Sequence, residues 1–157
     1  FLSNTKIVAY NRFIMSKYIP SPLKYVRDQV ELYETSGGTE GTTMQGLPVV
    51  IVTHKGWKTD AIRKTPLMTV KDGPNYVLIA SQGGAPKHPL WYHNFKANPE
   101  VEIQDGPSVI PMTVEEIENP MERKRLWDLS VEAYPPYDEY QQKTDRLIPV
   151  FLATPNQ

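Results

Sequence analysis

The stretch "PVVIVTHKGWKTDAIRKTPLMTVKDGPNYVLIAS", residues 48–81, decides the fold. Residues 48–54 are a β-branched run, the composition of a buried strand. "KGWKTD" follows as a turn. Residues 63–71 read as a second strand, closed by Asp72-Gly73, a hairpin signal. Residues 75–81 read as a third. Links this short join antiparallel neighbours, because parallel pairing needs a long crossover.

The same reasoning extends in both directions. Upstream, residues 23–34 predict a helix with Leu23, Val26, Val30 and Tyr33 on one face. "TSGGTEGT" (35–42) is a glycine-rich turn. Earlier still, Ile7, Tyr10, Ile14 and Tyr18 recur at helical spacing, with Lys6, Arg12 and Lys17 off that stripe. This predicts an amphipathic helix over 1–20, ended by Pro20 and Pro22, ahead of a single domain over 21–157. Downstream, a short helix runs from about Pro89 to Ala97 and stops at Asn98-Pro99. Val101 and Ile103 alternate with polar residues as a strand, and Asp105-Gly106 turns into another near 108–114. Pro120 starts a helix to about Tyr134, with Leu126, Leu129 and Ala133 inward. "PPYDEYQQKTDR" reads as a turn and a short helical piece, and "LIPVFLATP" as a last strand. About six mostly antiparallel strands with interleaved helices give an α+β fold, a small closed or split β-barrel.

The bulk properties narrow the function. The chain has 157 residues, no cysteine and a formal net charge of −1. Disulfides and thiolate metal sites are excluded, the cytoplasm is the default compartment, and no nucleic-acid partner is expected. No apolar run is long enough to span a bilayer. The chain starts at Phe1 and not Met, so a preceding targeting segment stays open. A basic amphipathic helix over 1–19 suits either its own domain or an anionic membrane face.

Several chemistries fail on spacing. The histidines are His54, His88 and His93, and the last two stand five apart, not at the i, i+4 step of a helical metal pair; no metal site is expected. Ser81 lies in no G-x-S-x-G elbow, and "SGGTEG" has no phosphate-loop spacing. What remains is a constellation. Lys55, Lys58, Arg63 and Lys64 flank the first turn, opposed only by Asp60. Then comes "SQGGAPKHPLWYHNFKANP" (81–99), where a Gly-Gly loop precedes Trp91, Tyr92, His93 and Phe95. A basic turn beside a barrel, a glycine loop and an aromatic helix start suit a flat ring carrying an anionic tail. Tyr134, Tyr137 and Tyr140 recur every third residue, either roofing a cavity or packing.

In order and spacing, "KGWKTD", "RKTPLM", "ASQGGAPKHPLWYHN", "NPEVEIQDG" and "YPPYDEYQQKTDRLIPV" resemble the deazaflavin-dependent nitroreductase family, over about residues 22–154. "SGGTEG" is similar to the branch with quinone and aflatoxin reductases. The resemblance implies an FMN-binding-like split barrel and coenzyme F420 as cofactor. It implies hydride transfer from reduced deazaflavin to a small-molecule acceptor: a quinone such as menaquinone, a nitroimidazole, or an unsaturated lactone of coumarin or aflatoxin type. By motif, Trp57, Lys58 and Thr59 would sit at the cofactor's phosphate and acidic tail. Arg63, Thr65, Pro66, Leu67 and Met68 would line ring and linker, with Lys64 restoring charge nearby. Ile79, Ala80, Ser81 and Gln82 would continue that wall, closed by Leu90, Trp91, Tyr92, His93 and Asn94. Ser81 and Tyr137 would face the acceptor, with Tyr134 and Tyr140 beside it. The chain departs from the characterised nitroreductase pattern at Trp57, Asp60, Gln82 and His88. The alternatives are an FMN- or haem-binding barrel, a non-catalytic F420 carrier, or a structural barrel. With a lipid-phase quinone as acceptor, residues 1–19 would hold the enzyme at the inner membrane face.

Overall fold

The computed structural model describes residues 16–156. Its strands are β1 (Thr43–Met44), β2 (Leu47–Lys55), β3 (Ile62–Met68), β4 (Lys71–Asp72), β5 (Asn75–Ile79), β6 (Glu100–Asp105), β7 (Ser108–Glu116) and β8 (Val150–Pro155). The helices are α1 (Lys24–Thr35), α2 (Leu90–Ala97), α3 (Pro120–Ala133) and α4 (Pro136–Gln142), with one 3-10 turn at Gln82–Gly84. The sheet runs β1-β2-β6-β7-β8-β5-β4, with β3 also on β2, and every pairing of named strands is antiparallel. Among the described residues, no helix is long and apolar enough to cross a membrane.

The strands number eight, not six, for two local reasons. Met44 folds back onto Leu47 through Gln45, which sits at φ 53°, so β1 has no apolar run to announce it. The strand predicted over 63–71 bends at Thr69-Val70. Its first part pairs with β2, and beyond the bend Lys71-Asp72 pair with β5, while the Val77 amide donates to the Val70 carbonyl at 2.9 Å. One bent strand therefore touches both ends of the sheet and curls it into a split barrel.

Alternation sorts the residues onto two faces. Val50, Val52, Val101, Ile103, Met112, Val114, Phe151 and Ala153 fill the barrel, plugged by Trp91 and Phe95 of α2. On the outside, Val30 and Tyr33 of α1 cover Val49 and Ile51. Leu126, Tyr134 and Tyr137 cover Val77, Ile79 and Val150. Asn119 caps α3, its side-chain oxygen accepting from the Met121 and Glu122 amides at 3.1 Å. On α3 the inward positions are Leu126 and Ser130; Ala133, expected inside, is exposed because the helix ends there.

The amphipathic helix expected over 1–20 falls largely outside the described residues. Its end is not helical: Tyr18 forms a parallel bridge with Ile62, and the Ile62 amide donates to the Lys17 carbonyl at 2.8 Å. An edge strand with free amides recruits the segment into extended pairing.

Candidate active site

Two clefts open along β3 and α2. The first, of about 280 Å³, is bordered by Thr65, Pro66, Leu67 and Met68 of β3, by Ile79, Ser81 and Gln82, and by Pro89 and Trp91. Tyr134, Tyr137 and Tyr140 roof it, and Met44 and Gln45 form its remaining lip. The second, of about 300 Å³, is lined by Gly56, Trp57, Lys58, Thr59, Arg63, Leu90, His93 and Asn94. Arg63 and Thr65 are two residues apart on one face of β3, and Leu90 and Trp91 are neighbours on α2. One elongated ligand can thus engage both clefts.

Register decides which of the β3 side chains point inward. Val50 pairs with Leu67, Val52 with Thr65 and His54 with Arg63, so these β3 residues share the barrel face. Lys64 pairs with Thr53 on the opposite face and is salt-bridged to Glu34 of α1. It enters neither cleft, although it was expected beside the cofactor. Ala80 is likewise core, fully buried. Tyr92 turns away from both clefts; its hydroxyl donates to Glu116 at 3.1 Å and its ring lies 4.3 Å from His88. The other anticipated residues line one cleft or the other.

The second cleft is cationic with an aromatic floor. Lys58 Nζ sits 4.7 Å from the Trp57 ring centroid, and the His93 ring lies 5.6 Å from that indole. Asp60, the added anion of this turn, reaches Lys55 at 3.8 Å, so of the four clustered cations Lys58 and Arg63 face the cleft. Arg63 also donates to the Ile19 and Pro20 carbonyls at 3.1 and 3.3 Å, which fixes its position.

Hydrogen bonds order the roof. Tyr134 donates to Gln45 Oε1 at 3.2 Å, and its oxygen lies 2.9 Å from the Tyr140 hydroxyl. Having given its proton to Gln45, Tyr134 receives that of Tyr140. The Tyr137 hydroxyl has no protein partner among the described residues, although the residue is 6% exposed. Burial, then the neighbouring Tyr134 and Tyr140, push the Tyr137 hydroxyl above the ordinary tyrosine range. Tyr140 is raised to about 12, first by its bond to Tyr134 and then by burial. Both stay protonated at neutral pH. Trp127 Nε1 donates to Asp138 at 2.9 Å and ties α4 to α3.

The two glycines of the Gly-Gly loop differ in surroundings. Gly83 meets nothing within 4 Å of a built Cβ. Gly84, at φ +81°, would put a Cβ 2.6 Å from the Tyr140 carbonyl. Its missing side chain lets the loop touch the roof helix. Arg146, which no periodic pattern exposes, locks this loop. Its Nε donates to the Ala85 carbonyl at 2.9 Å, Nη1 to Ala80 at 3.1 Å and to His88 Nδ1 at 2.9 Å, and Nη2 to Ser81 at 2.7 Å. Burial and the Arg146 charge hold His88 below the usual histidine range. Met44, Gln45 and Gly56 are also unforeseen neighbours of the clefts.

A family model described as F420H(2)-dependent quinone reductase matches residues 25–155. An F420H(2)-dependent quinone reductase of Mycobacterium tuberculosis is 38% identical over 126 residues, covering 78% of this chain and 85% of its own length. A solved structure of an F420-H2 dependent reductase, FDR-A, is 54% identical, covers 68% of this chain and 93% of its own, and superposes with a TM-score of 0.64. The haem storage protein HutZ of Vibrio cholerae, at 14% identity, 72% and 84% coverage and TM-score 0.55, shares the fold alone.

Proposed function

The chain belongs to the F420H(2)-dependent quinone reductase family, and on that premise we propose that its acceptor is a quinone held under the tyrosine roof. It is an F420-dependent reductase, with coenzyme F420 as hydride donor. The clefts fit that group. A flat ring needs an apolar slot with few polar points, which Leu67, Ile79 and Trp91 offer beside Thr65 and Ser81. An anionic tail needs cations and free amides, which Lys58, Arg63 and the 56–59 turn offer. When bound, the reduced deazaflavin supplies a hydride and not single electrons.

The protein's part is positioning and charge. Lys58 and Arg63 would hold the tail, and the β3 wall with Trp91 would hold the ring. The tyrosines would cover the acceptor and limit water in the cleft. Hydride arriving on a quinone leaves negative charge on its oxygen. Tyr137 would meet that charge and supply the proton, with Ser81 as a second donor. The single observation that carries this reading is the free Tyr137 hydroxyl under a roof whose other two hydroxyls are engaged. Nitroimidazoles and unsaturated lactones present the same developing oxyanion and are secondary acceptors.

The test mixes purified protein with reduced F420 under anaerobic conditions and follows cofactor reoxidation with a menaquinone analogue, a nitroimidazole and a coumarin. Quinone reoxidising the cofactor fastest supports the reading. Tight F420 binding with no reoxidation by any acceptor points to a carrier, and preferential binding of FMN or haem points to the related barrels. A bilayer quinone also gives the basic segment 1–19, which carries Lys6, Arg12 and Lys17, a reason to meet the inner membrane face. Flotation with anionic liposomes, with and without residues 1–19, decides it; equal soluble fractions refute it.

A further inference from the structure

His54 is 2% exposed and hydrogen-bonded at both ring nitrogens. A buried histidine inside a barrel needs partners, and these partners form a line between the two clefts. The line begins at an unambiguous donor, the Trp57 backbone amide, which gives its hydrogen to Asn94 Oδ1 at 3.0 Å. Asn94 therefore faces His54 with Nδ2, its donor end, at 3.1 Å from Nδ1. Turning the amide over would oppose two donors at Trp57. Nδ1 must accept, so it carries no hydrogen, and a neutral ring then carries its hydrogen on Nε2. Nε2 lies 2.9 Å from Thr65 Oγ1 and donates to it. One Thr65 lone pair is thereby taken, which fixes the hydroxyl's donor side away from His54, and its own hydrogen has no protein acceptor among the described residues. Thr65 borders the first cleft.

We propose that His54 and Asn94 are positioning residues that turn the Thr65 hydroxyl hydrogen into the first cleft, as a donor to a carbonyl oxygen or ring nitrogen on the edge of the deazaflavin. This rests on the cofactor reading above. The ring stays neutral throughout, since burial and then the Arg63 charge bring His54 down to about 3. A neutral imidazole of fixed tautomer delivers one hydrogen in one direction, whereas a lone threonine rotates freely and offers either a hydrogen or a lone pair. The device also joins the clefts. The amide that starts the line belongs to the turn holding the tail, so a turn displaced from Asn94 releases the constraint on Thr65.

The experiment has two readouts. In protein with 15N-labelled histidine and no cofactor, the His54 ring is expected to show hydrogen on Nε2 and a bare Nδ1 at neutral pH. Hydrogen on Nδ1 overturns the proposal. Deazaflavin affinity is then measured by fluorescence titration. Thr65→Val is expected to bind about tenfold more weakly, the worth of one hydrogen bond, and Thr65→Ser to restore binding. His54→Phe is expected to weaken binding in the wild-type background but not in Thr65→Val, because its effect passes through that hydroxyl. Equal weakening in both backgrounds, or unchanged affinity in Thr65→Val, overturns the proposal and leaves the cofactor reading intact. Wild-type protein that binds no deazaflavin sinks both. If His54→Phe does not fold, the tautomer and the Thr65 pair decide.

Discussion

Replacing Arg146 by methionine keeps most of the side-chain length and removes every donor. In the native fold the guanidinium makes four hydrogen bonds of 2.7–3.1 Å, to the Ala80, Ser81 and Ala85 carbonyls and to His88. Hydrogen bonds to charged groups contribute about 1.5–3 kcal/mol each. Ala80 and Ser81 are buried, so water does not readily replace the lost donor there. Ala85 and His88 are half-buried and regain water. Counting mainly the two buried bonds gives a loss of about 3 kcal/mol. With a urea slope of about 2 kcal/mol/M, the unfolding midpoint falls by about 1.5 M. Arg146→Lys recovers less than half, because a compact ammonium cannot span acceptors that a planar fork reaches together. Turnover is expected to fall as well, since the loop carries Ser81 and Gln82. A midpoint shift below about 0.3 M in Arg146→Met would refute the reasoning and mark the four contacts as replaceable by solvent.

Four further outcomes are expected. Tyr137→Phe slows quinone-dependent reoxidation by about tenfold to a thousandfold with little change in F420 affinity, measured by stopped flow; unchanged turnover removes the hydroxyl from the chemistry. Lys58→Ala raises the F420 dissociation constant more than it slows the saturated enzyme, read from fluorescence titration against turnover at saturation. Gly84→Ala costs about 1–3 kcal/mol in urea melts, because φ +81° is strained for alanine and its Cβ meets the Tyr140 carbonyl. Stability also falls on acidification. His54 drops from 6.5 unfolded to about 3 folded, so between those pH values the unfolded chain binds the extra proton, and folding loses about 2 kcal/mol by pH 5. His88 acts in the same direction, and His54→Phe should flatten the slope.

The sheet was legible because its signals are local. The run at 48–54, the turns at Asp72-Gly73 and Asp105-Gly106 and the alternation at 101–104 all emerge as pairing elements. The bend at Thr69-Val70 was hidden, because it is imposed by pairing with strands at both ends of the sheet. Lys64 was misplaced for a similar reason. Its charge is visible in the sequence, but the face it occupies depends on the β2–β3 register. Ala80 and Tyr92 sit inside motifs whose neighbours reach the clefts, and motif membership does not record side-chain direction. Arg146, Gln45 and His54 were missed because their roles lie in contacts 65, 89 and 40 residues away along the chain. No window of periodicity reaches that far.

The contact between Gly84 and the Tyr140 carbonyl leaves the roof helix no slack on that side. A bulkier guest cannot be admitted by tilting α4 toward the loop. The opposite lip, Met44 and the solvent-exposed Gln45, belongs to a two-residue hairpin held to the roof by one neutral hydrogen bond. Relatives on this scaffold that accommodate larger molecules should therefore differ at that hairpin in length and composition, while the loop glycine and its tyrosine stay as they are.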